Sequence, residues 1–101
     1  MTISHELNQS GLVFHLIGEL DHHTAHDAIM YVSQQISLNR SRSVEINFKG
    51  VTFMDSSGLA VVLNAKRFAD RGGNRLQIRE VPPHAMKIFR AAKLDKMIPF
   101  I

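Results

Sequence analysis

The chain has no cysteine, so disulfides, thiolate chemistry and cysteine-bound zinc are excluded. It has no tryptophan and one tyrosine, which leaves little aromatic surface for stacking on nucleic-acid bases. No apolar run approaches the roughly 20 residues needed to span a bilayer. The start, Met1-Thr2-Ile3-Ser4-His5-Glu6, has neither the basic residues nor the apolar core of a signal peptide, so a cytoplasmic protein with no membrane partner is expected. No glycine-rich turn follows an early strand, and no P-loop lysine is present, so the dinucleotide and P-loop folds lose support. Residues 1–39 contain no Lys or Arg and carry Glu6, Glu19, Asp21 and Asp27. All 12 basic groups fall in residues 40–101 beside five acids, for a net charge of +3 overall. Such asymmetry fits either an acidic face for a basic partner or a fold that interleaves the halves and averages the field, the second being favoured.

What is present reads as one domain of 101 residues, 45% hydrophobic and 21% charged. Residues 2–7 alternate apolar and polar, as a strand does. Asn8-Gln9-Ser10-Gly11 is turn chemistry, and Leu12-Val13-Phe14-His15-Leu16-Ile17 completes an antiparallel hairpin. A loop is expected over 18–24, with Thr24 and Asp27 as a capping box for a helix buried through Ala25, Ala28, Ile29, Val32 and Ile36. A strand follows at 44–48. Met54-Asp55-Ser56-Ser57-Gly58 forms a second loop. The next helix is expected to face inward through Leu59, Val62, Leu63 and the stem of Lys66, and Gly72-Gly73 ends it. Residues 75–79 make a further strand, Pro82-Pro83 opens a short helix facing inward through Ala85, Ile88, Phe89 and Ala92, and 97–101 is a last edge strand. The order predicts an α/β fold: a mostly parallel sheet of about five strands, an antiparallel strand at its start, and packed helices.

Three constellations carry chemistry. His22 and His26 stand four apart beside His23, a metal-like spacing without a convincing third ligand, so solvated residues are favoured and no metal or cofactor is expected. Lys66, Arg67, Arg71, Arg75 and Arg79 could meet nucleic acid, but they fall on outward faces and read as solvated, so no direct nucleic-acid partner is expected. Asp55-Ser56-Ser57-Gly58 puts two hydroxyls at a helix start. Capping needs only one such residue. A helix mouth also tolerates phosphate, because its free N–H groups and dipole favour negative charge. Both readings stand on the residues alone.

Gly18-Glu19-Leu20-Asp21-His22-His23-Thr24-Ala25 and Phe53-Met54-Asp55-Ser56-Ser57-Gly58-Leu59 resemble, in that order, the signature segments of the anti-sigma factor antagonists of the STAS domain family, most nearly the sporulation type. The resemblance extends over residues 1–101. It implies a STAS-like fold and a non-enzymatic binding switch. The unphosphorylated protein would bind an anti-sigma factor that is also a serine kinase, carrying ATP or ADP, and so free a sigma factor. Phosphorylation would release it, and a PP2C-type phosphatase would reset it. The resemblance assigns the acceptor to Ser57 and the contact surface to Asp21, His22, His23, Thr24, Asp55, Ser56, Ser57 and Gly58, while the helix start itself makes Ser56 the expected cap. Family members usually continue into another helix, whereas this chain stops at Ile101, which is expected to leave one sheet face less covered. Lys93-Leu94-Asp95 also departs from the more apolar family pattern. A monomer is expected, with a dimer as the alternative. A STAS module sensing a nucleotide or small anion, and a structural subunit that is never phosphorylated, are the competing readings.

Overall fold

The computed structural model describes residues 1–101. The elements run β1 (Thr2–Asn8), β2 (Gly11–Leu20), α1 (His22–Leu38), β3 (Ser43–Met54), α2 (Ser57–Gly72), β4 (Arg75–Arg79) and α3 (Pro83–Ala91), followed by a single 3-10 turn at Leu94–Lys96. The sheet order is β1-β2-β3-β4. β1 pairs antiparallel with β2, and β2, β3 and β4 run parallel. The expected architecture is therefore present. The fifth strand contributes one parallel bridge, Ile78 to Phe100. Pro99 has no N–H to donate, and the turn at Leu94–Lys96 uses residues a longer strand would need.

The two-residue period of the strands decides the layering. Leu12, Phe14, Leu16, Val44, Ile46, Phe48, Leu76 and Ile78 are buried on one face of the sheet. The helices pack there, with Ala25, Ala28, Val32 and Ile36 from α1 and Val61, Val62, Ala65 and Ala69 from α2 in the same core. The inner stripe of α2 differs from the expected one. Val61, Ala65 and Ala69 are buried, whereas Leu63 is exposed. Small residues let α1 and α2 approach closely, a requirement that hydrophobicity alone does not reveal. α3 is anchored by Phe89, whose ring meets Phe48 edge-on at 5.4 Å and Phe100 at 5.4 Å. Ala92, expected inward, is exposed beyond the end of that helix.

The opposite sheet face has no helix on it. It is polar and cross-linked between strands. His15 meets Glu6 at 3.0 Å, Arg79 and Gln77 donate to Glu45 at 2.9 and 3.0 Å, and Asn47 donates to Glu80 at 3.0 Å. No helix is long and apolar enough to cross a membrane.

β2 and β3 are both longer than expected and end at Leu20 and Met54. The loop expected over 18–24 shrinks to Asp21. A register shift between Gly18 and Glu19 lets β2 stay paired with β3 up to the Leu20–Met54 pair. The two signature segments thus end on neighbouring parallel strands, at the carboxyl edge of the sheet.

Candidate functional site

Asp21 lies between β2 and α1. It is the N-cap, in extended conformation, and one of its carboxylate oxygens accepts from the His23 and Thr24 N–H groups at 2.9 and 3.1 Å. Thr24 returns the favour, its hydroxyl oxygen accepting from the Asp21 N–H at 3.1 Å and donating to the Glu19 carbonyl at 2.9 Å. The capping box is therefore Asp21 with Thr24, not Thr24 with Asp27. Thr24 sits at the third helical position because β2 continues to Leu20 and α1 starts three residues earlier than its apolar stripe indicates. Partial desolvation pushes the Asp21 carboxyl up, but the two N–H bonds and the nearby His23 imidazole outweigh it and hold it below the ordinary 3.8. His22 and His23 are exposed, with rings 3.9 Å apart at 38°.

Asp55 follows β3. Its N–H donates to the Leu20 carbonyl at 3.3 Å, which ties the second segment to the first. Its carboxylate accepts the Ser57 N–H at 2.8 Å, and its carbonyl accepts the Gly58 N–H at 3.1 Å. The side chain of Ser56 makes no capping bond, contrary to the role expected of it. Its backbone is already helical, at φ −63° and ψ −15°, which turns the hydroxyl away from the free N–H groups, and Asp55 serves them instead. Ser56 is exposed and Ser57 half-buried. Gly58 is buried, and a Cβ there would stand 2.4 Å from the Met54 sulfur. Glycine suits this position because α2 starts directly against the end of β3, and a larger residue would have to displace the Met54 side chain.

All eight expected residues, Asp21, His22, His23, Thr24, Asp55, Ser56, Ser57 and Gly58, belong to the segments that follow these two adjoining strand ends. Glu19 adds a third carboxylate to the acidic, hydroxyl-bearing edge. The histidines and acids form no group of three that could hold a metal ion. Sequence reasoning missed one part of the site. A groove of about 440 Å³ opens beside Ser56, lined by Leu59, Lys87, Ile88, Ala91 and Ala92. The sequence places Leu59 and Ile88 on inner stripes, yet both are only partly buried because each lies at the border of its helix's apolar arc. Their position at that border is the signal that could have marked them.

The chain matches the STAS domain model over residues 2–101. It is 29% identical over 99 residues to the anti-sigma F factor antagonist of Paenibacillus polymyxa, covering 98% of this chain and 85% of that one. The structure of the anti-sigma factor antagonist SpoIIAA in its unphosphorylated form superposes with a TM-score of 0.83 at 27% identity, covering 99% of this chain and 88% of that one. The Bacillus cell fate determinant SpoIIAA in the phosphorylated form gives a TM-score of 0.75 at 26% identity, covering 99% and 91%. With both signature segments placed on one sheet edge and the family model matched almost end to end, the chain belongs to the STAS domain family.

Proposed function

We propose that this chain is an anti-sigma factor antagonist controlled by phosphorylation, of the sporulation type. In the unphosphorylated state its acidic edge binds an anti-sigma factor that is also a serine kinase, and a sigma factor is freed for transcription. ATP-dependent phosphorylation in the Ser56-Ser57 pair ends the complex, and a PP2C-type phosphatase restores the protein. The observation that carries this reading is the bond from the Asp55 N–H to the Leu20 carbonyl, which joins the Asp21 cap and the serine turn into one edge.

The chemistry of that edge supports the role. Glu19, Asp21 and Asp55 suit a partner bearing arginine. The half-exposed apolar floor of Leu59 and Ile88, next to Ser56, offers the dry contact that charge alone does not supply. A phosphate at this helix start adds about −1.5 to −2 charges beside Asp55. Lys87 is the only cation lining the groove with Ser56. Repulsion from the partner's nucleotide phosphates then favours release, and a thousandfold loss of affinity requires only about 4 kcal/mol.

Between the two hydroxyls, accessibility favours Ser56. The resemblance assigns the acceptor to Ser57, but that residue is half-buried in the first turn of α2, whereas Ser56 is exposed and makes no capping bond. Incubation with a cognate anti-sigma factor kinase and ATP, followed by mass spectrometry, tests both levels. Gain of one phosphate, lost in Ser56→Ala and kept in Ser57→Ala, is the expected result. The reverse pattern returns the acceptor to Ser57. No incorporation into the unaltered protein, together with kinase binding unchanged by ATP, removes the phosphoswitch altogether.

A further inference from the structure

A second surface lies away from the switch edge, on the outer side of the two long helices. Met30, Ser33, Gln34 and Ser37 form one stripe of α1, at spacings of three, one and three. With Phe68 of α2 they line a groove of about 340 Å³. Met30 is 59% exposed, and Leu38, in the same row four residues beyond Gln34, is 70% exposed. These two side chains and the Phe68 ring give an otherwise polar stripe its apolar contacts.

A further observation points to an occupant. The end of the groove near the carboxyl termini of the helices is cationic. The Arg71 guanidinium stands 5.4 Å from the centroid of the Phe68 ring, and Arg40 donates to the Arg71 carbonyl at 3.2 Å. Neither arginine has a carboxylate partner, since the ion pairs of the molecule are Glu6–His15, Lys66–Asp70 and Glu45–Arg79. The two helix carboxyl ends contribute about −0.5 each. That offsets half of the two guanidinium charges and leaves the end positive.

We propose that this groove docks an acidic amphipathic segment of a partner protein. Its apolar side packs on Met30, Phe68 and Leu38, and its carboxylates pair with Arg40 and Arg71. The apolar contacts of Met30, Phe68 and Leu38 distinguish this occupant from nucleic acid, which would need phosphate contacts but not these side chains. The site has the opposite charge to the switch edge and does not depend on that edge's function.

The test uses the whole chain and a synthetic helical peptide with leucines on one side and glutamates on the other, followed by fluorescence anisotropy. Saturable binding is expected, with amide shifts confined to residues 30–38 and 68–71. Met30→Gln and Arg71→Gln should each weaken it roughly tenfold, while Lys49→Gln, on the open sheet face, leaves it unchanged. Arg71→Glu should prefer a peptide whose glutamates are replaced by lysine. Thermal melts of these surface variants verify that they are folded. Equal binding of a glutamate peptide lacking leucine, of double-stranded DNA or of anionic vesicles would overturn the proposal, and so would unchanged affinity in Met30→Gln.

Discussion

At the scale of single residues, Asp21 caps α1 and, under the proposed function, also meets the partner, and the two roles can be separated. Its lowered carboxyl pKa gives a definite sign. The charged form is favoured in the folded state, so its contribution to stability is complete above the ordinary 3.8 and is lost as pH falls through the lower folded value. Asn is as good an N-cap as Asp, so Asp21→Asn removes the charge and keeps the cap. The difference in Tm between the two proteins should be constant from neutral pH to about pH 5 and shrink below the ordinary value. A difference that stays flat into strong acid would mean that the charge contributes nothing to folding. At neutral pH the same variant should bind the kinase more weakly, measured by calorimetric titration. Gly58 makes a complementary prediction about space. Gly58→Ala pushes a Cβ into Met54, and overpacking of this kind costs about 1–3 kcal/mol, readable by urea melts. The flexibility of the methionine puts the expected value at the low end of that range. The cap at Asp21 was harder to read than the serine turn. Thr24 and Asp27 match a capping box in sequence, and only the continued pairing of β2 through Leu20 shows which residue comes first in the helix.

At the scale of elements, the hairpin and the anchor of α3 make the sharpest predictions. Gly11 has φ +127°, and a Cβ there would lie 2.2 Å from the Ser43 carbonyl oxygen on the neighbouring strand. Backbone cannot withdraw as a side chain can, so Gly11→Ala should cost at least about 3 kcal/mol and lower the melting temperature sharply. Phe89→Ala removes the ring between Phe48 and Phe100 and should cost about 3–5 kcal/mol in chemical denaturation. A loss below about 1 kcal/mol would mean that α3 is held by its backbone alone. Alternation made β1, β2 and β4 legible, and Gly73 ends α2 in the left-handed conformation that the Gly72-Gly73 pair announces. Two elements were less legible for different reasons. The core of α2 rests on Ala65 and Ala69, which packing selects for smallness rather than for hydrophobicity. Residues 97–101 look like a strand by composition, but only Phe100 reaches the sheet register.

At the scale of the whole molecule, the fold sets one group of acids and one group of arginines at opposite ends of the parallel strands. Glu19, Asp21 and Asp55 belong to the strand carboxyl edge, while Arg40, Arg42, Arg71 and Arg75 flank the ends of α1 and α2 and the strand starts opposite. Parallel connectivity is the reason, because β2, β3 and β4 all run from the end with the arginines toward the end with Asp21 and Asp55. Composition gives the totals and cannot give this direction. A phosphate added at the edge should therefore act locally. Amide shifts between phosphorylated and free protein should be confined to residues around 18–24 and 53–60, and changes reaching the middle of β4 would show a rearranged fold instead. The Asp55–Leu20 bond has a kinetic consequence as well. Two separate flexible loops would have to find a partner one after the other, and each would give up mobility on contact. Joined by a main-chain bond at the ends of paired strands, they meet it as one preformed surface, so little ordering entropy opposes the encounter. Under the proposed function, association should then proceed in a single phase with a rate set by collision and charge, and the lifetime of the complex would be the quantity on which phosphorylation acts.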